Sequence, residues 1–153
     1  LRSIPAWHTN GLKRITKTAK LHFLDSGLLA ALLGLSVELL RKNRSAFGAV
    51  LETFVFAELL KIASWSGQRI EVFHYRDKEQ NEVDLVLEDG QGRVVGIEVK
   101  AAATVTASDF KGLRKLAAAC GDRFVMGLVA YDHDQTIPFG DRLYAAPLSA
   151  LWS

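Results

Sequence analysis

Asn81-Glu82-Val83-Asp84-Leu85-Val86-Leu87 and, after a polar interval, Gly96-Ile97-Glu98-Val99-Lys100 decide how this chain is read. Both stretches alternate polar and apolar residues with a period of two, the pattern of half-buried β-strands. Glu88-Asp89-Gly90-Gln91-Gly92 has hairpin-loop composition, so residues 82–87 and 93–100 are expected to pair as antiparallel neighbours. Alternation sets Val83, Leu85 and Leu87 on one face, Asp84 beside Glu82, and Glu98 beside Lys100. A hairpin centred on Gly90 places Asp84 across from Gly96 and Glu82 across from Glu98. Asp84 and Glu98 are then diagonal neighbours, roughly 6–8 Å apart at the backbone, near enough for both carboxylates to meet one ion. Gly96 would leave room for that ion or for a phosphate. A slip of one residue destroys the arrangement, so everything rests on register.

Such a pair suits phosphodiester hydrolysis. Hard carboxylate oxygens hold Mg²⁺ or Mn²⁺ while leaving waters in place, and a lysine such as Lys100 can orient the attacking water. A third acidic group is needed from another element. Residues 46–64 form a helical pattern in which Phe47, Val50, Leu51, Phe54, Val55, Leu59 and Ile62 recur at spacings of three and four. Glu52 and Glu58 border its apolar face on opposite sides, and periodicity does not choose between them. The competing reading is that Glu98 and Lys100 are plain solvated charges on an exposed strand.

Working outward, Asp25-Ser26 caps a helix at 27–33 that Gly34 stops, and 41–45 is expected to be a loop. A strand is expected at 70–75. Ser108 is expected to cap a second amphipathic helix, with Gly121 past its end. A buried strand at 124–130, a loop at 132–141, a short strand at 142–145 and a terminal turn at 147–152 complete a mixed α/β domain. Residues 1–16 read as the tail of a preceding segment or a linker, and 17–153 as the domain. Lys13, Arg14, Lys17 and Lys20 are either a phosphate-touching arm or, the favoured reading, a solvated linker.

The 153 residues are 49% hydrophobic and 24% charged with a net charge of +2, an ordinary globular composition that gives no global argument for nucleic acid. The single Cys120 suits a small buried thiol in a reducing compartment. No apolar run is long enough to cross a bilayer. The start, Leu1-Arg2-Ser3-Ile4-Pro5, has neither an initiator methionine nor the core of a signal peptide. The expectation is a cytoplasmic chain without membrane contact, cut from a longer protein.

Asp84, a hairpin and then Glu98-Val99-Lys100 resembles the signature of the PD-(D/E)XK nuclease superfamily. Gly48-Ala49-Val50-Leu51-Glu52 resembles the Gly-x-x-x-Glu of its first helix, which decides for Glu52. The proline of the motif is absent, with Val83 before Asp84. Residues 20–28, 48–60, Tyr75-Arg76, Glu82-Val83-Asp84, 97–100 and the ending 147–152 together look like an uncharacterised C-terminal domain attached to bacterial and archaeal AAA+-type ATPases. The resemblance implies a restriction-endonuclease-like core with a central mixed β-sheet flanked by helices. It implies Glu52, Asp84 and Glu98 as ligands of Mg²⁺ or Mn²⁺, and Lys100 as catalytic partner. A P-loop ATPase domain would precede this one as its partner; nothing here matches the P-loop pattern, so the chain itself is not that ATPase.

Arg76 has two readings, a phosphate contact or a pairing with Asp77 or Glu79, while His74 is expected to be structural. Lys111, Arg114 and Lys115 lie along the outer side of the second helix, which faces DNA in resolvase-like proteins; a solvated helix face is the favoured reading. Asp132-His133-Asp134 lacks the spacing of a metal site. Two functions of different class follow: a Mg²⁺-dependent DNA nuclease, in a superfamily whose members are often homodimers, or a non-catalytic module that binds nucleic acid or protein and regulates its ATPase.

Overall fold

The computed structural model describes residues 1–152, apart from the side chain of Thr16; Ser153, the last residue of the expected domain, lies outside the described residues. After β1 (Arg2–Ile4), α1 (Gly11–Thr16) and β2 (Lys20–His22) come three helices, α2 (Ser26–Leu32), α3 (Val37–Lys42) and α4 (Arg44–Trp65). The strands β3 (Ile70–Arg76), β4 (Glu82–Asp89) and β5 (Val94–Lys100) follow. Then come α5 (Lys111–Cys120), β6 (Phe124–Tyr131), β7 (Ile137–Gly140) and β8 (Leu143–Pro147). Six strands make one sheet in the order β3-β4-β5-β6-β8-β7. β3, β4 and β5 are antiparallel neighbours, whereas β5 pairs parallel with β6 and β6 with β8. The parallel step between β5 and β6 needs a crossover, which α5 supplies. The expected α/β architecture, a central mixed sheet flanked by helices, is present. Among the described residues no helix is long and apolar enough to cross a membrane.

Each face of the sheet is covered by one helix. Val55, Phe56 and Leu59 of α4 pack on Val72, Leu85, Ile97 and Ala130. On the other face Leu113 and Leu116 of α5, with Phe110 before them, pack on Val86, Val94 and Val129. Each such Val, Leu, Ile or Phe side chain, fully withdrawn from water, contributes about 1.5–3 kcal/mol. α5 comes so close that a Cβ on Gly112 would lie 1.9 Å from the Glu82 carbonyl oxygen. A Cβ on Gly96 would lie 2.7 and 2.8 Å from the methyls of Leu113 and Leu116. Gly96 therefore makes room for the leucines of α5, not for an ion or a phosphate as expected.

The β4–β5 hairpin departs from the expected register. Val86 pairs with Gly96 and Leu85 with Ile97, so the turn is centred on Gln91 rather than Gly90. The Asp89 carboxylate causes the shift, accepting from the main-chain N–H groups of Gln91 and Arg93 at 2.9 Å each, while Gly92 takes a positive φ of 80°. A second departure lies on the other edge of β4. Phe73 pairs with Val86 but Tyr75 with Val83, so β4 carries one residue more than β3 across this step. That β-bulge breaks the alternation: Val83 joins the core beneath α5, while Leu85 joins the core beneath α4.

Smaller corrections concern boundaries. The expected loop at 41–45 is the end of α3 and the start of α4, with Asn43 between them capping Ala46 N–H at 3.1 Å. Thr106, not Ser108, opens the second helical region, in a capping box with Asp109 and a 3-10 turn (Ala107–Phe110) ahead of α5. Part of the expected loop at 132–141 forms β7 on the edge of β8.

Ile4, Ala6 and Trp7 anchor the N-terminal segment in the core, while most residues around them are exposed. β1 pairs with β2, Pro5 and Trp7 exchange main-chain bonds with His74, and Trp7 is buried with its indole N–H donating to Glu88 at 2.6 Å. Arg14 donates to both oxygens of Glu88, at 3.0 and 2.7 Å, over the faces of Trp7 and Phe73. Arg14 and Lys20 thus leave the solvated-linker reading.

Gly112→Ala forces α5 away from β4. It is expected to cost about 1–3 kcal/mol or more, read as a lowered urea midpoint, because the clash is with backbone and no rotamer change relieves it. A midpoint equal to wild type would contradict this packing.

Candidate functional site

The β4–β5 ladder ends at Leu85 and Ile97, and beyond it carboxylates replace main-chain rungs. Asp84 N–H donates to the Glu98 carboxylate at 3.3 Å, and Val99 N–H donates to the Asp84 carboxylate at 2.9 Å. Asp84 sits at the bulge, and continuing the hairpin register by one residue sets it directly opposite Glu98, closer than the diagonal arrangement expected. Bulges of this kind re-aim side chains where a strand borders a site.

Glu52 arrives from α4, beside the buried residues Leu51 and Thr53. It accepts a short charge-assisted bond from the Lys20 ammonium, which also stands 3.6 Å from Asp84 Oδ1. His22, two residues along β2 and buried, points its Nε2 to within 3.6 Å of the same Glu52 oxygen, and that nitrogen has no hydrogen-bond partner. Glu52, Asp84 and Glu98 thus gather from three elements, with Lys20 and His22 from a fourth.

Crowding Asp84 and Glu98 out of water beside Glu52 disfavours their ionised forms. Burial, then the charges of Asp84 and Glu52, push Glu98 up to about 9. Burial and Glu52 push Asp84 up to about 6, against the opposing effects of Val99 N–H and Lys20. Burial works against the Lys20 charge, but its bond to Glu52 and the nearby carboxylates outweigh it, and the pKa is raised. Burial holds His22 below its ordinary value although Glu52 pulls the other way, which favours the neutral imidazole. Perturbed acids grouped beside a cleft are what functional sites require. A cleft of about 460 Å³ opens alongside, bordered by Lys17, Lys20, His74, Arg76, Glu82 and Asp84.

The remaining sequence candidates lie elsewhere. Lys100 donates to Asp109 at 2.5 Å, tied to the capping box and away from the carboxylates. Arg76 pairs with Glu82 at 2.9 Å and bonds Gln80, so its structural partners differ from the Asp77 and Glu79 expected. His74 Nε2 meets the Thr18 carbonyl at 3.1 Å. Lys115 pairs with Glu79 at 2.9 Å, Arg114 donates to the Ala107 carbonyl at 2.7 Å, and Lys111 is exposed. Glu58 bonds Lys61 and Trp152 at the surface, apart from the site. Lys20 and His22 were missed. Their alternation across a three-residue strand was the available signal, masked by the run of cations before it.

The donors suit a hard divalent ion: three carboxylates, two of them already addressing one cation position. As they stand, no three His, Cys, Asp or Glu side chains among the described residues are grouped so as to hold a metal ion; the Lys20 ammonium lies between Glu52 and Asp84, and Glu98 accepts from Asp84 N–H.

Because Glu98 is raised above its ordinary 4.5, the folded chain keeps a proton that the unfolded chain has lost between pH 4.5 and about 9. Stability therefore falls as pH rises through that window. Glu98→Gln keeps an acceptor for Asp84 N–H without the charge. It should raise the thermal midpoint by about 2–8 °C at pH 8.5 in metal-free buffer, with the gain vanishing by pH 5. A loss of stability at pH 8.5 would contradict the assignment.

Comparison with known proteins gives relatives of unassigned role. An uncharacterized protein of Mycobacterium tuberculosis and one of Mycobacterium bovis are each 28% identical over 148 residues, 96% of this chain. The chain spans 31% of the length of these curated relatives. A solved assembly of Thermococcus gammatolerans McrB AAA+ hexamers with bound McrC aligns with a TM-score of 0.45 and 13% identity, over 64% of this chain and 26% of that one. Residues 1–39 match a domain of unknown function (DUF8612). Residues 47–151, more than half of the chain and holding all three carboxylates, match the domain of unknown function DUF4143, and the chain belongs to that family.

Proposed function

We propose that this chain is a Mg²⁺-dependent nuclease domain with a restriction-endonuclease-like, PD-(D/E)XK-type core, hydrolysing phosphodiester bonds in DNA as an accessory domain of an AAA+-type ATPase. The observation that carries the reading is the meeting of Glu52, Asp84 and Glu98 at a break in the sheet, with a cation between two of them and a cleft alongside. Glu52 and Asp84 would hold the ion, and Glu98 would join them as its proton is released to the ion's charge. Held there, Mg²⁺ would supply Lewis-acid polarisation of a phosphoryl oxygen and would lower the pKa of a coordinated water. The cleft would admit the backbone of one strand, with Arg76 at its border and Lys111 and Lys115 further out along α5. Lys100 would have to leave Asp109 to orient water. Cutting both strands of a duplex calls for a second copy, hence a homodimer. The ATPase link rests on the resemblance of the spaced motifs, and the greater length of the relatives leaves room for such a partner domain.

A second reading is a non-catalytic module of the same fold that binds nucleic acid or protein and regulates the ATPase. The Lys100–Asp109 bond favours it, since the motif lysine is engaged elsewhere.

Calorimetric titration of the chain with Mn²⁺ or Mg²⁺, beside Asp84→Asn, tests the proposal. The expected result is binding lost in the variant, and metal-dependent cleavage of branched or linear DNA that Glu52→Gln lowers at least about 100-fold, as removal of an essential charge-stabilising group does. Metal binding without cleavage of any DNA would favour the regulatory module.

A further inference from the structure

The site owns a cation before any metal arrives, and the chain supplies it from outside the carboxylate-bearing domain. The Lys20 ammonium lies against Glu52 Oε1 and 3.6 Å from Asp84 Oδ1, the position from which one ion would bind both. We propose that Lys20 is a built-in competitor for divalent metal, which enters the site by displacing the Lys20 ammonium into the adjoining cleft. This rests on the metal-site reading given above and concerns how that site is occupied.

Four observations carry it. Lys20 is the lysine of the site: Lys100, which the motif assigns there, is held by Asp109 at 2.5 Å. The Lys20 side chain is 36% exposed and borders the open cleft, so the ammonium can withdraw by rotating about its own stem. The backbone need not move, since Lys20 pairs with Ile4, whose side chain is buried. The carboxylates and their cation come from different parts of the chain, Glu52, Asp84 and Glu98 within residues 47–151 and Lys20 within residues 1–39, each matching a separate family model. Coulomb attraction to two carboxylates doubles when a monovalent ammonium gives way to a divalent ion. A protein that keeps the ammonium there makes the ion compete for entry. Once displaced, the same ammonium stands in the cleft, where a phosphate anion would meet it.

The test is calorimetric titration with Mn²⁺ at pH 8, comparing the chain with Lys20→Met, Lys20→Arg and Asp84→Asn. Lys20→Met is expected to bind at least tenfold more tightly than wild type, Lys20→Arg to stay near wild type, and Asp84→Asn to lose binding. If wild-type binding depends on Asp84 but Lys20→Met binds no more tightly, the metal site stands and the competitor role falls. If no variant shows Asp84-dependent binding, both fall. Should Lys20→Met lack a cooperative thermal transition, the wild-type chain decides the matter. Acetylation of Lys20 by acetic anhydride, followed by peptide mass spectrometry, should quicken several-fold when Mn²⁺ is added, and an unchanged rate overturns the proposal.

Discussion

Between Asp89 and Arg93 the chain reverses over a turn in which one carboxylate gathers two main-chain N–H groups, and that choice of turn sets how β4 lies on β5. From it follow the pairing of Val86 with Gly96 and the closure of the ladder at Leu85 and Ile97. Asp84 is thereby delivered opposite Glu98, where each acid reaches main-chain N–H across the gap. The same register puts the bare backbone of Gly96 beneath Leu113 and Leu116, letting α5 descend to within touch of β4 at Gly112. Core and site are therefore not separable here. Another register would put side chains where α5 needs none and take Asp84 from its place opposite Glu98.

The two acids also bear on the energetics of the sheet. Main-chain groups at a strand end seek partners, and carboxylates are strong acceptors when ionised. Here they satisfy Asp84 N–H and Val99 N–H where the ladder stops, yet burial, with Glu52 acting on Asp84 and Asp84 on Glu98, raises both pKa values. A sheet that needed only closure would use apolar residues and an ordinary turn at this point. Stability at neutral pH and above is given up by burying these acids together.

Much of the fold was legible in the residues. The period-two pattern at 82–87 and 93–100 located the hairpin, the spacing of Val55 and Leu59 located α4, and Gly121 marked the end of α5. The bulge was not legible. It arises because β3 meets β4 with unequal residue counts, a property of two strands together, and it sent Val83 to the opposite core from Leu85. The role of Gly96 was misread for a similar reason, since the approach of α5 depends on contacts far along the chain. Of the site, the spacing and the family resemblance together named Glu52, Asp84 and Glu98, which the fold brings into one neighbourhood. They also named Lys100, which a nearer acid, Asp109, draws away. Lys20 and His22 stayed hidden because a strand of three residues offers too little periodicity to separate them from the cations before it.

Among the described residues β2 pairs only with β1, in a ribbon of two three-residue strands that meets the main sheet through Ala6, Trp7 and His74. Ribbons so short hold by anchorage more than by their own bonds, here the burial of Ile4 and His22. The electrostatic balance of the carboxylates thus depends on that anchorage and not on the six-stranded sheet. Partial fraying of the ribbon would strip the counter-charge from Glu52 and Asp84 while the sheet, both covering helices and the far-ultraviolet spectrum stayed intact. Retained secondary structure is therefore no measure of an intact site in this chain.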